Sequence, residues 1–116
     1  MVNTLNAISK EVLNNEDLSQ SLVYSRKAHV LATKLSYQKG IAYSLKNIGL
    51  AQYYQGNFLE VLNSWTQSLN VFETIQDTVG IASLVNNIGA VYYSQGSNAK
   101  ALDYYLKSLS ISEKKK

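Results

Sequence analysis

A forty-residue period governs this chain. The segment from Gly80 to Glu113 reappears forty residues earlier. Gly40, Ile41, Ala42, Asn47, Ile48, Gly49, Tyr53, Gln55, Gly56, Leu62, Ser68, Leu69 and Glu73 match Gly80, Ile81, Ala82, Asn87, Ile88, Gly89, Tyr93, Gln95, Gly96, Leu102, Ser108, Leu109 and Glu113. Self-similarity at a fixed period of about 20–50 residues marks stacked units, none of which can bury its apolar face alone. The 116 residues then form one domain of three units, 1–39, 40–79 and 80–116.

Each unit reads as two helices. In the second, Ile41, Leu45 and Ile48 make one apolar stripe with Ala42, Gly49 and Tyr53 beside it, and Phe58, Val61, Leu62, Trp65, Leu69 and Phe72 make another. Between them lies Gln55–Gly56–Asn57, where glycine frees the backbone and asparagine is placed to cap the next helix. The third unit repeats the plan with Ile81, Val85, Ile88 and Tyr92, the turn Gln95–Gly96–Ser97, and Ala101, Leu102, Tyr105 and Leu109. The first is a worn copy: Leu5, Ile8 and Val12, then Glu16–Asp17 at the turn, then Leu18, Leu22, Ala28, Leu31 and Leu35. No alternating run of useful length occurs and the chain has no proline. The pattern predicts an all-α chain of six unbroken helices.

Small residues show how these helices touch. A glycine inside a helix costs roughly 1 kcal/mol, so Gly49 and Gly89 at one register point to a close backbone approach. Ser21, Val61 and Ala101, with Ala28, Ser68 and Ser108, supply short side chains on the second helix of each pair. Ser9 stands where the later units have glycine, which predicts looser packing in the first hairpin. His29, the single histidine, aligns with Leu69 and Leu109 and is expected to be a partly buried packing residue.

Composition excludes several functions. With no cysteine, disulfides, thiolate metal sites and cysteine nucleophiles are out, and a reducing, cytoplasmic setting is expected. No apolar run approaches the ~20 residues of a membrane span, and MVNTLNAISKEV lacks the pattern of a signal peptide, so no membrane association is expected. The net charge of +3 is supplied by Lys114, Lys115 and Lys116; no basic stripe recurs with the repeat, so nucleic acid is not an expected partner. There is no phosphate loop, paired-histidine zinc motif or calcium loop. Asp17, Asp77 and Asp103 read as helix caps or solubilising residues. No catalytic residue, metal or cofactor is expected.

The motif NIGAVYYSQG followed by ALDYYLKSL resembles the tetratricopeptide repeat (TPR), fully in the second and third units and loosely in the first. The common form has about 34 residues, so forty implies helices longer by about a turn. This longer form resembles the arrays of kinesin light chains, spindle adaptors and bacterial peptide-sensing regulators, and those ahead of bacterial nucleotide cyclases and histidine kinases. The family's aromatic positions fall on Tyr53 or Tyr92–Tyr93 and on Trp65 or Tyr105. Gln52 opposite Tyr92, and Ser25 opposite Trp65, depart from that regularity. The resemblance implies a right-handed solenoid of three antiparallel hairpins whose first helices line a concave, peptide-holding face.

Helical spacing identifies the residues of that face: Tyr43, Asn47, Leu50 and Tyr54 with Lys46 alongside, then Ser83, Asn87, Ala90 and Ser94 with Asn86 alongside. Asn3, Asn6, Lys10 and Asn14 are the weaker equivalents in the first unit. Asn47 and Asn87 stand out, because an asparagine amide offers donors and an acceptor that match a peptide backbone; both are expected to face solvent in the free protein. The family's chaperone-tail clamp needs several basic residues around a terminal carboxylate. Asn6, Ser83 and Asn87 stand where those would be, so chaperone tails are not expected ligands.

Two functions remain open. One is a protein-interaction scaffold that binds a partner's peptide segment. The other is the regulatory or dimerising segment of a larger signalling protein whose catalytic domain lies elsewhere. The last helix adds an expectation of its own. Its apolar residues sweep roughly 220° at about 100° per residue, whereas one packed layer needs a stripe of somewhat over 100°. Self-association through Leu102, Tyr104, Leu106, Leu109 and Ile111 is expected, most simply as a two-fold homodimer, or else a chain that belongs to a longer array of repeats.

Overall fold

Helix length is set by a turn that recurs every twenty residues. At Ser36, Gly56, Gln76 and Gly96 the backbone enters the left-handed region, with φ of 53°, 80°, 57° and 79°. The following N–H groups, of Tyr37, Asn57, Asp77 and Ser97, reach back to the carbonyls of Ala32, Gln52, Phe72 and Tyr92 at 2.8, 3.0, 3.0 and 2.9 Å. This reverse bond satisfies carbonyls that a helix end otherwise leaves without a partner. Glycine supplies the left-handed residue only inside the second and third hairpins. Between hairpins Ser36 and Gln76 adopt it, at a local cost of roughly 1–2 kcal/mol. The residue after each turn opens the next helix. Asp77 caps it with its side chain, accepting from the Gly80 N–H at 3.0 Å. Asn57 holds the same place but makes no side-chain cap bond, against the expectation from its residue type.

The computed structural model describes residues 1–14 and 18–115. The predicted turn at Glu16–Asp17 lies outside them, as do the side chains of Val12 and Leu18. Six helices and no strand occur among the described residues: α1 (Val2–Asn14), α2 (Leu18–Lys34), α3 (Gln38–Tyr54), α4 (Phe58–Thr74), α5 (Thr78–Ser94) and α6 (Asn98–Lys115). Helices α1/α2, α3/α4 and α5/α6 pair as hairpins, while α2 packs on α3, α4 on α5, and α1 also meets α3. The result is an all-α helical-repeat solenoid with α1, α3 and α5 along one side. Its main core gathers Ala42, Val61, Trp65, Phe72, Leu84, Ile88 and Val91. Val2, Ala28 and Ala32 form a smaller one under the first hairpin.

Each hairpin closes on a pair of residues sixteen apart. In the second, Gly49 faces the indole of Trp65; a Cβ at Gly49 would lie inside the ring's van der Waals envelope. The indole N–H donates to the Lys46 carbonyl at 3.0 Å, which holds the ring in place. In the third, Gly89 faces Tyr105 and Tyr104, 3.1–3.2 Å from where a Cβ would sit. In the first the pair is Ser9 and Ser25, both fully buried and hydrogen-bonded hydroxyl to hydroxyl. Ser9 also donates to the Ser21 carbonyl at 2.9 Å, and the Ser21 hydroxyl returns a bond to the Ser9 carbonyl at 3.0 Å. The expected looseness is therefore absent: two small hydroxyls replace glycine plus a large ring, and hydrogen bonds replace ring packing. A second register varies the same way. Tyr92 stacks on Tyr104 at 5.4 Å, whereas its counterpart Gln52 accepts from Ser64 at 2.7 Å.

Of the short residues of the second helices, Ser21, Ala28, Val61, Ser68 and Ala101 are buried and Ser108 is half-buried; Ser68 and Ser108 also donate to the carbonyls of Ala42 and Ala82 at 2.7 and 2.9 Å. The two helical glycines should respond differently to alanine. Gly49→Ala must displace an anchored indole and is expected to destabilise by roughly 1–3 kcal/mol. Gly89→Ala meets the Tyr105 ring, which can yield, and the Tyr104 Cβ at 3.2 Å, which needs a shift of α6 by a few tenths of an ångström. The gain in helix propensity of about 1 kcal/mol offsets this and should leave the variant near neutral. Urea unfolding of the two variants checks this; equal losses would contradict the packing described.

Candidate functional site

Helices α1, α3 and α5 enclose a groove of about 430 Å³. Of the residues placed on the concave face by spacing, Lys10, Tyr43, Lys46, Asn47, Leu50, Ser83 and Asn87 line it, together with Asn3, Asn6 and Ala7. Tyr54, Asn86 and Ala90 do not. Tyr54 lies at the end of α3 with its ring edge against Tyr53 at 5.6 Å, and Asn86 points to solvent. Ala7 escaped the sequence reading, although it lies four residues after Asn3 and three before Lys10 and so belongs to the same face.

Asn47 requires a correction. It is buried, 6% exposed, because α1 closes on α3. Its amide donates weakly to the backbone carbonyl and the side-chain oxygen of Asn6, at 3.3 and 3.4 Å. One of the two asparagines expected to await a peptide is thus joining the first unit to the second. Asn87, in the third unit, stays half exposed. The Nδ2 of Asn6, itself buried, has no hydrogen-bond partner.

Lys46 is the most perturbed group of the groove. It donates to the Ser83 hydroxyl at 2.8 Å, which connects α3 to α5, and its ammonium sits 6.0 Å above the Tyr43 ring. Burial and, secondarily, the charge of Lys10 hold its pKa below the usual lysine range, with Asp77 acting weakly the other way. Both cations lie on the wall of a groove that, among the described residues, no carboxylate lines.

A second cavity, of about 520 Å³, opens on the other side between α2 and α4, floored by Leu45 and Ile48 of α3. His29, half-buried as expected, lines it with Arg26 and Val30. It is larger, and its polar groups are partly paired with one another, Ser64 with Gln52, Gln52 with Glu60 and Gln67 with Asn63, while the Arg26 and His29 side chains on its wall make no hydrogen bond among the described residues. The concave groove instead holds a buried donor without a partner, the Asn6 Nδ2, and a buried donor left unmet gains most from an acceptor that a ligand brings. The concave groove is the stronger candidate on that ground.

On α6, Leu102, Leu106 and Leu109 are 57%, 53% and 54% exposed. Tyr104 is not part of that open face; it packs against the core and stacks on Tyr92. Ile111 is half-buried.

With this geometry in hand, comparison with known proteins adds the class of fold. No protein-family model and no curated protein matches the sequence. Solved structures do match. The TPR domain of Arabidopsis FLU superposes with a TM-score of 0.88 at 18% identity, over 97% of this chain and 95% of that one. Aspartyl phosphate phosphatase F from Bacillus subtilis gives 0.87 at 19%, over 97% of this chain and 30% of that one. BtubC (BKLC) from P. vanneervenii gives 0.86 at 14%, over 97% and 46%. The chain therefore spans less than half the length of two of these three. The fold is a TPR-like helical-repeat solenoid. No described helix is long and apolar enough to cross a membrane.

Asn47→Ala should destabilise the fold by about 1 kcal/mol, through its lost bonds to Asn6 and the partner groups left unpaired. Asn87→Ala should stay within about 0.5 kcal/mol of the parent. Melting curves of the two variants give the comparison, and an unchanged Asn47→Ala curve would show that the α1–α3 contact carries no weight.

Proposed function

We propose that this chain is a protein-interaction scaffold that holds a segment of a partner protein across its concave face. The observation that carries this reading is the set of groove residues with hydrogen-bonding capacity left over: Lys10, Lys46, Asn6 and Asn87, on three different helices of one groove. An extended peptide brings a regular series of carbonyls and amides that such groups pair with. Tyr43 and Leu50 add apolar surface to the wall. The fold supports the reading, since stacked repeats present a continuous curved surface well suited to a chain segment. Catalysis forms no part of it.

The test starts from peptides selected by display on the purified domain. Ala7→Trp fills the groove from an exposed position without touching the core, and should weaken the selected peptides at least tenfold. Asn63→Trp, in the cavity between α2 and α4, should leave them within twofold. The reverse pattern would place binding on the other side of the solenoid.

The leucines of α6 favour a covering layer as well. Their counterparts forty residues earlier, Leu62 and Leu69, are partly buried against the core that α5 completes. On α6 Leu102, Leu106 and Leu109 are exposed, and solenoids normally keep such an apolar face covered. A second copy applied to this face, as a two-fold homodimer, supplies the cover. Light scattering should then show association of the wild type with rising concentration, and a monomer for the Leu102→Glu, Leu106→Glu double variant. A wild type that stays monomeric at high concentration rejects the homodimer.

A further inference from the structure

The concave groove is unbalanced in its chemistry. Lys46 uses one of its three donors on Ser83. Lys10 adds a second ammonium to the same wall, and among the described residues no aspartate or glutamate lines the groove to answer them. The buried Asn6 Nδ2 is a further donor without an acceptor. Uncharged peptide carbonyls would satisfy the amides yet leave two like charges facing one another. A partner carrying an anion at this point satisfies both, because charge-assisted bonds to a carboxylate are the stronger kind and cancel the mutual repulsion.

We infer that the groove holds a carboxylate subsite, in which Lys46 and Lys10 grip an acidic side chain located within the bound peptide. This rests on the concave face being the peptide site. The depressed pKa of Lys46, caused first by burial and then by Lys10, fits a cation held ready without its counterion. Among the described residues Asp77 is the one carboxylate that acts on it, from the α4–α5 turn; it does not line the groove. Ser83 positions the ammonium by its single bond. The cations come from the first two units only, since the third presents Ser83 and Asn87. The acidic residue would therefore lie where the peptide crosses α1 and α3, with a neutral stretch over α5.

The carboxylate of a peptide has two possible sources, an acidic side chain or the chain terminus, and a set of peptide libraries separates them. The first is a nonapeptide mixture, acetylated and amidated, with glutamate at the centre and no other acidic residue. The second replaces the central glutamate with glutamine. The third is the glutamine mixture with a free C-terminus. Binding of each to the wild type, Lys46→Gln, Lys10→Gln and the surface control Lys27→Gln is measured by fluorescence anisotropy, with melting curves to confirm that the variants fold. The glutamate mixture should bind wild type about tenfold more tightly than the glutamine mixture. That preference should fall to within twofold in Lys46→Gln, weaken in Lys10→Gln and persist in Lys27→Gln. Equal binding of the glutamate and glutamine mixtures, or a preference that survives in folded Lys46→Gln, overturns the subsite and leaves the peptide groove standing. A gain confined to the free C-terminus also overturns it. Failure of all three mixtures to bind overturns both the subsite and the reading on which it rests.

Discussion

The spacing between the two helices of each hairpin is the constraint on which this molecule depends. Backbones that cross closely must be matched by side chains whose combined volume fills the crossing and no more. The second hairpin meets the condition with glycine against tryptophan, the third with glycine against tyrosine, and the first with two serines. The residue types differ and the condition does not. Where the ring is lost, Ser25 bonds to the Ser9 hydroxyl, and the hydroxyls of Ser9 and Ser21 each donate to the other's backbone carbonyl, in place of ring packing. A change at one member of a pair has meaning only when its partner sixteen residues away is read with it.

That spacing also places the groove. Closed hairpins that stack α2 on α3 and α4 on α5 bring α1, α3 and α5 alongside one another, so side chains from three helices reach a common space. The connections within this layer are polar: Asn47 to Asn6 between α1 and α3, and Lys46 to Ser83 between α3 and α5. Buried polar contacts add less to stability than the apolar core beneath them, but they leave donors at the surface of the groove. The chemistry presented to a partner thus arises from the way the units are joined.

Much of this was legible in the forty-residue period. Helix number, the glycine turns at Gly56 and Gly96, the buried small residues and most of the groove wall follow from local spacing, which a repeat displays more than once. What escaped depended on contacts between units. Spacing puts Asn47 and Asn87 on equivalent faces, yet only Asn47 has a first helix close enough to bury it. Tyr104 lies within the apolar arc of α6, and only the neighbouring Tyr92 decides that it turns inward. The left-handed turns at Ser36 and Gln76 carry no glycine and so give no local signal. Ser9 looked like a loss because its compensation lies on the other helix.

The central claim is that partners are held on the concave side, and one measurement separates it from the alternative most directly. A two-dimensional amide NMR spectrum of the domain can be followed while a selected, unlabelled peptide is added. The account predicts that the largest shifts gather at Lys10, Lys46, Ser83 and Asn87, with the amides of Arg26, Asn63 and Gln67 nearly unmoved. Shifts concentrated at Arg26, Asn63 and Gln67, with the first group silent, would contradict it.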